Sequence, residues 1–269
     1  MNTVPQRSGT VGLHPQHGFL KLWHLLSLDA PTVAILWTCF VARATHTAMT
    51  PEFPAAMFLA VWILYVVDRL LDARRAVGLE VRHHFHDAHR TAFLAAIGVA
   101  SAGLLALVVL ARLPALTFAL YLGLAAALAL WFAFVHRGPC RTLPKEFVTG
   151  AFFSAAIFIP FASRQTLVPA ILFAALCSLN CLYIQTWENP EGGAAHASTG
   201  IARRFLPQIS LALILFPLVH LGPISLAISA AAALLVLLHR FRGDVEATTL
   251  RAAADLVLLT PVLVLPFLS

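Results

Sequence analysis

Asp68 and Asp72 are the first residues whose spacing suggests chemistry. They lie in Tyr65-Val-Val-Asp68-Arg69-Leu-Leu-Asp72-Ala-Arg74-Arg75, at the end of an apolar stretch. At i and i+4 they stack on one helical face, with Tyr65 one turn earlier. Carboxylates at the end of an apolar segment are costly, and so mark function. Two on one face with no Lys between them repel unless a cation sits there. That pattern suits Mg²⁺, which takes one or two carboxylates and completes its shell with phosphate oxygens. Pairing with Arg69, Arg74 and Arg75 would account for the same acids without a metal.

A second polar group follows another apolar stretch, in Asn180-Cys-Leu-Tyr183-Ile-Gln185-Thr-Trp187-Glu188-Asn-Pro190-Glu191. Glu188 and Glu191 are three apart and share a face, and Pro190 ends the helix near here. If the two helices are neighbours, four carboxylates converge on one cavity. A third group is His136-Arg137-Gly-Pro-Cys-Arg141-Thr142-Leu-Pro144-Lys145-Glu146. Its cations could clamp a diphosphate, Arg bidentately and Lys as a point charge, or simply mark a cytoplasmic loop. The run Arg82-His83-His84-Phe85-His86-Asp87-Ala-His89-Arg90 could meet diphosphate, bind a metal, or line an interfacial helix. Asp255, one turn after Arg251, reads as an i, i+4 ion pair.

The elements that must position these groups follow from composition. The chain has 269 residues, 60% of them hydrophobic and 11% charged. Soluble domains are about 45–50% apolar and about 25% charged, so a soluble enzyme, a disordered chain and a disulfide scaffold are excluded. An all-α polytopic bundle remains. Nine apolar segments, at about 30–50, 54–73, 91–111, 114–135, 146–163, 166–187, 205–220, 222–239 and 249–268, are long enough to read as spans. Residues 1–24 read as a flexible cytoplasmic tail and 25–269 as one transmembrane domain. Phe19 to Leu28 reads as a short interfacial segment with Lys21 and His24 toward water.

With the N-terminus in the cytoplasm, all but Arg43, Arg112 and Arg164 of the 18 Lys and Arg fall on the cytoplasmic side. The net charge of +6 therefore reflects topology. Nucleic acid is not an expected partner, because no basic stripe is interleaved with stacking aromatics. The expected location is an integral position in a bacterial inner membrane, in contact with membrane lipid.

Taken together, these motifs resemble those of the UbiA superfamily of intramembrane prenyltransferases. Asp68-Arg69-Leu-Leu-Asp72 matches the last five positions of its pattern Asn-Asp-x-x-Asp-Arg-x-x-Asp, with Leu64 and Tyr65 in place of the leading Asn and Asp. Arg137, Arg141, Thr142, Pro144 and Gly150 resemble its run before the fifth span. Asn180-Cys-Leu-Tyr183-Ile stands where its second motif begins, with Glu188 and Glu191 where later Asp residues would be, and Ser198-Thr199 follows.

The resemblance implies nine helices around a cavity and transfer of a prenyl group from a prenyl diphosphate to a lipophilic acceptor. It implies Mg²⁺ held by Asp68, Asp72, Glu188 and Glu191 as the catalytic and metal residues. Arg69, Arg137, Arg141, Lys145, Asn180, Tyr183 and His86 would bind substrate, and Trp62, Phe147, Phe152, Phe153 and Tyr183 would line the prenyl pocket. Two other classes stay open: a non-catalytic isoprenoid-lipid-binding or interaction protein on the same fold, and a metal-binding membrane protein or transporter.

Overall fold

The computed structural model describes residues 18–74, 81–137, 145–188, 200, 203–219 and 222–268. These form helices, with no strand among the described residues. In chain order they are α1 (Gly18–Leu25), α2 (Asp29–Ala44), α3 (Glu52–Ala73), α4 (Val81–Ala88), α5 (Arg90–Ala111), α6 (Ala115–Arg137), α7 (Lys145–Phe158), α8 (Arg164–Glu188), α9 (Leu206–Val219), α10 (Pro223–Arg240), α11 (Ala247–Val257) and α12 (Pro261–Val264).

Five of them, α3, α5, α6, α8 and α10, are long and apolar enough to cross a membrane. Two bent pairs, α1 with α2 and α11 with α12 and the turn after it, raise the number to seven. Two of the apolar segments read from sequence hold only 14-residue helices, α7 and α9. Pro160 follows α7 in a 3₁₀ turn, where a continuing α-helix would lose a backbone donor.

The core is centred on Trp37. Its indole lies 4.3 Å from the Phe173 ring and 5.7 Å from Phe40, among Val33, Ile157, Leu176, Ile228 and Leu235. The Trp37 Nε1–H donates to the Leu258 carbonyl at 2.8 Å. That carbonyl is released because the chain breaks before Pro261, and Val262 N–H turns to Leu259 instead.

Small residues set the close contacts. Ser225, Ala227, Ser229, Ala231 and Ala232 are buried along α10, and Ser229 donates to the Ile214 carbonyl of α9 at 2.6 Å. Gly150 lets α7 lie directly on α8, since a Cβ there would sit 2.3 Å from Ser178 Oγ and 2.5 Å from the Ala174 carbonyl. This is the packing that bundles use when lipid removes the hydrophobic drive between helices.

Candidate functional site

The site begins with a turn. Ser27 has φ of +58°. Its N–H donates to the His24 carbonyl at 3.0 Å, and Leu28 N–H donates to the Trp23 carbonyl at 3.0 Å. This is a Schellman closure with Ser27 at the left-handed position usually held by glycine. It sets α1 at 86° to α2 and folds His24 back onto the first residue of α2. His24 Nδ1 and Asp29 Oδ2 are 2.7 Å apart, both fully enclosed. His24 therefore points inward and not toward water, because its partner is a carboxylate sealed inside the bundle. Ser27 also meets His86 Nε2 at 3.2 Å, and the His86 ring stacks on Phe93 at 4.4 Å. These contacts tie α4 to the same turn.

Asp29 joins several helices. Its Oδ1 accepts from Ala30 N–H at 3.0 Å, and the Arg69 guanidinium of α3 lies 3.6 Å from Oδ2. Its carboxyl is also within hydrogen-bond reach of Asp255 on α11. On the far side of Asp255, Asn180 Nδ2 of α8 donates to Oδ1 at 3.1 Å. Arg69 also lies over the Tyr65 ring, 5.8 Å from its centre. The chain thus closes a buried polar layer through α1, α2, α3, α8 and α11. Each charge in this layer has a charged or hydrogen-bonding neighbour, as enclosure requires.

These cross-links also give the helix directions. Asp29 opens α2 and meets Arg69 near the end of α3, so these two are antiparallel. Arg251 near the start of α11 hydrogen-bonds Glu188 at the end of α8, while Asp255 meets Asn180 two turns earlier, so α11 and α8 are antiparallel as well. Asp29 and Trp37 of α2 meet Asp255 and Leu258 in the same order. Consequently α3 and α8 run parallel, and Asp68, Asp72 and Glu188 all lie at one end of the bundle, just beyond the buried layer.

More basic residues collect at that end. Arg203 donates to Thr186 Oγ1 at 3.2 Å and to the Gln185 carbonyl at 2.9 Å. Arg242 and Arg251 line a pocket of about 230 Å³ with Thr186, Trp187 and Glu188. Tyr183, buried on α8, donates to Ser210 Oγ at 2.8 Å, since the Ser210 proton goes to the Leu206 carbonyl. Trp187 Nε1–H donates to His239 Nδ1 at 2.8 Å.

No known family model, curated protein or solved structure matches this chain. The site is therefore read from its own residues.

Of the residues singled out from sequence, Arg69 and Asn180 are in the buried layer, and Asp68 and Asp72 flank it on α3, both partly buried. Glu188 holds Arg251. Tyr183 and His86 are buried with the partners given above, and Lys145 is exposed at the start of α7. Glu191 and Arg141 lie outside the described residues, as does the side chain of Arg137. Trp62 donates to the Leu26 carbonyl at 3.0 Å, which secures the α1–α2 turn, while Phe147 is exposed. Arg251 and Asp255 act on each other electrostatically as expected, while their hydrogen bonds go to Glu188 and Asn180 of α8. The sequence reading missed His24, Asp29 and Asp255 as site residues. The available signal was an acid at each end of the apolar pattern, the same criterion that singled out Asp68 and Asp72.

Proposed function

We propose that the chain is an intramembrane prenyltransferase of UbiA type, moving a prenyl group from a prenyl diphosphate to a lipophilic acceptor at the end of the bundle marked by Asp68, Asp72 and Glu188. The observation that supports this reading is that α3 and α8 end on the same side of the bundle, linked through Asp29 of α2 and Asp255 of α11. The two polar motifs, far apart in sequence, run parallel and share the Arg69–Asp29–Asp255–Asn180 layer. In the same reading the nine apolar segments are spans, the N-terminus is cytoplasmic and the membrane is a bacterial inner membrane. The site end is then the cytoplasmic one, where a water-soluble head and a lipid tail can both arrive.

Asp68 and Asp72 fit Mg²⁺, since they offer only oxygen donors one turn apart and remain partly exposed. When bound, Mg²⁺ would neutralise charge gathering on the departing diphosphate. The protein's own part is to orient and to exclude water. Arg203, Arg242 and Arg251 supply positive charge at the mouth, and Lys145 adds a further cation at the start of α7. Trp187 presents aromatic surface in the same pocket, suited to an allylic cation. Asn180 and Arg69 hold the floor.

A second reading, binding of an isoprenoid lipid without catalysis, is favoured by one observation. Arg69 and Glu188 already have internal partners. Thermal unfolding in detergent with a panel of prenyl diphosphates, with and without Mg²⁺, separates the two. A donor at about 100 times its Kd adds about 2.7 kcal/mol of stability. The enzyme reading expects a Mg²⁺-dependent shift that disappears in Asp68→Asn. A shift that ignores Mg²⁺ supports lipid binding, and no shift with any donor contradicts the enzyme reading.

A further inference from the structure

The buried layer carries more negative charge than its own cations balance. One carboxylate oxygen each of Asp29 and Asp255 lies within 4.8 Å of the other. Two buried carboxylates this close favour a cation between them, either a proton or a metal ion. The one guanidinium beside Asp29, Arg69, is 3.6 Å from Oδ2, longer than a direct charged hydrogen bond. Arg251, the other nearby cation, bonds Glu188.

A nitrogen donor completes the group. One ligand atom each from His24, Asp29 and Asp255 lies within 4.8 Å of the others. Independently of these three, Asn180 is only 4% exposed, and its Oδ1 has no hydrogen-bond partner. The same amide bonds Asp255 through Nδ2, so the unsatisfied oxygen sits one amide width from the cluster. A buried acceptor with nothing to accept from is costly. An ion shared with the carboxylates would remove that cost. Arg69 Nη1 is likewise enclosed and unsatisfied.

We propose that His24, Asp29 and Asp255 bind a divalent first-row transition metal, with Asn180 Oδ1 as a fourth donor. One imidazole nitrogen among oxygens selects ions of the Mn²⁺ to Zn²⁺ series over Mg²⁺ or Ca²⁺. The site is separate from the Asp68–Asp72 pair and does not depend on the prenyltransferase reading. Its position across α1, α2, α8 and α11 would make the ion a structural clamp on the floor of the candidate pocket. Loading would tie the α1–α2 turn to α8.

The test uses untagged full-length protein in detergent, stripped with chelator, titrated with Co²⁺ and passed over a desalting column, with no diphosphate present. The expected result is one Co²⁺ retained per chain, with paramagnetically shifted imidazole protons in the proton NMR spectrum. His24→Gln should abolish those shifts, and Asp255→Asn should weaken binding at least tenfold. His84→Gln with His89→Gln, which alters exposed histidines in and just after α4, should leave both unchanged. No retained Co²⁺ would overturn the proposal and assign the carboxyl pair a shared proton. Shifts that vanish with His84 and His89, or that survive His24→Gln, would overturn it too. If a variant fails to fold, the wild-type spectrum still decides, since retained Co²⁺ without an imidazole ligand contradicts the assignment.

Discussion

Helices α8 and α6 are both apolar, with mean hydropathies of 2.1 and 2.2, yet the bundle treats them in opposite ways. In α8, 56% of the most apolar window is buried inside the protein, whereas in α6 the share is 0% and in α5 it is 6%. The difference lies in what interrupts the apolar run. Helix α8 carries Asn180, Tyr183 and Thr186, which hydrogen-bond Asp255, Ser210 and Arg203 outside the helix. Among its described side chains, helix α6 has one comparable attachment, the Tyr121 hydroxyl donating to the Ala156 carbonyl at 2.7 Å. In a lipid setting apolar surface alone does not draw a helix inward, so polar and small residues decide which helices form the centre.

Four substitutions test that contrast, from the largest effect to the smallest. Asp29→Ala removes the carboxylate that His24 and Arg69 share, leaving Arg69 enclosed without its ion pair. Loss of about 3–5 kcal/mol is expected, read as thermal unfolding in detergent. A change below about 1 kcal/mol would show that the layer contributes little to stability. Leu105→Arg puts a charge on the exposed face of α5. Membrane insertion of that segment should worsen by about 2.5–3.5 kcal/mol in an insertion assay, and no change would place the face in water.

Gly150→Ala drives a Cβ into the Ser178 hydroxyl and the Ala174 carbonyl. The cost should be about 1–3 kcal/mol, and an unchanged melting temperature would mean that α7 and α8 separate easily. Tyr121→Phe removes the single hydroxyl bond anchoring α6. It should cost about 0.5–1.5 kcal/mol, and proteolysis near the α6 ends should quicken if that bond fixes the helix.

Much of the helix pattern is legible in the chain. Pro51, Pro114 and Pro223 mark element starts, whereas Pro169 lies inside α8, and the apolar runs between polar groups coincide with helices among the described residues. The end of the bundle where Asp68, Asp72 and Glu188 gather is legible too, since each follows a long apolar stretch. What is not legible is the partner of each buried charge. Asp29 reads locally as an acid at a helix start, and Asp255 as an i, i+4 partner of Arg251. Both gain partners across many residues of sequence. The inward turn of His24 depends on Ser27 taking a left-handed conformation without the glycine that would announce it.

The proposed function puts ligand chemistry at the end of the bundle where α3 and α8 both terminate. The most direct test is photolabelling of the detergent-purified protein with a photoreactive prenyl diphosphate analogue in Mg²⁺, with the labelled residues mapped by mass spectrometry. The account predicts labels between Tyr65 and Asp72 and between Asn180 and Glu188, competed away by unmodified donor. Competable labels confined to α5 and α6 would contradict it.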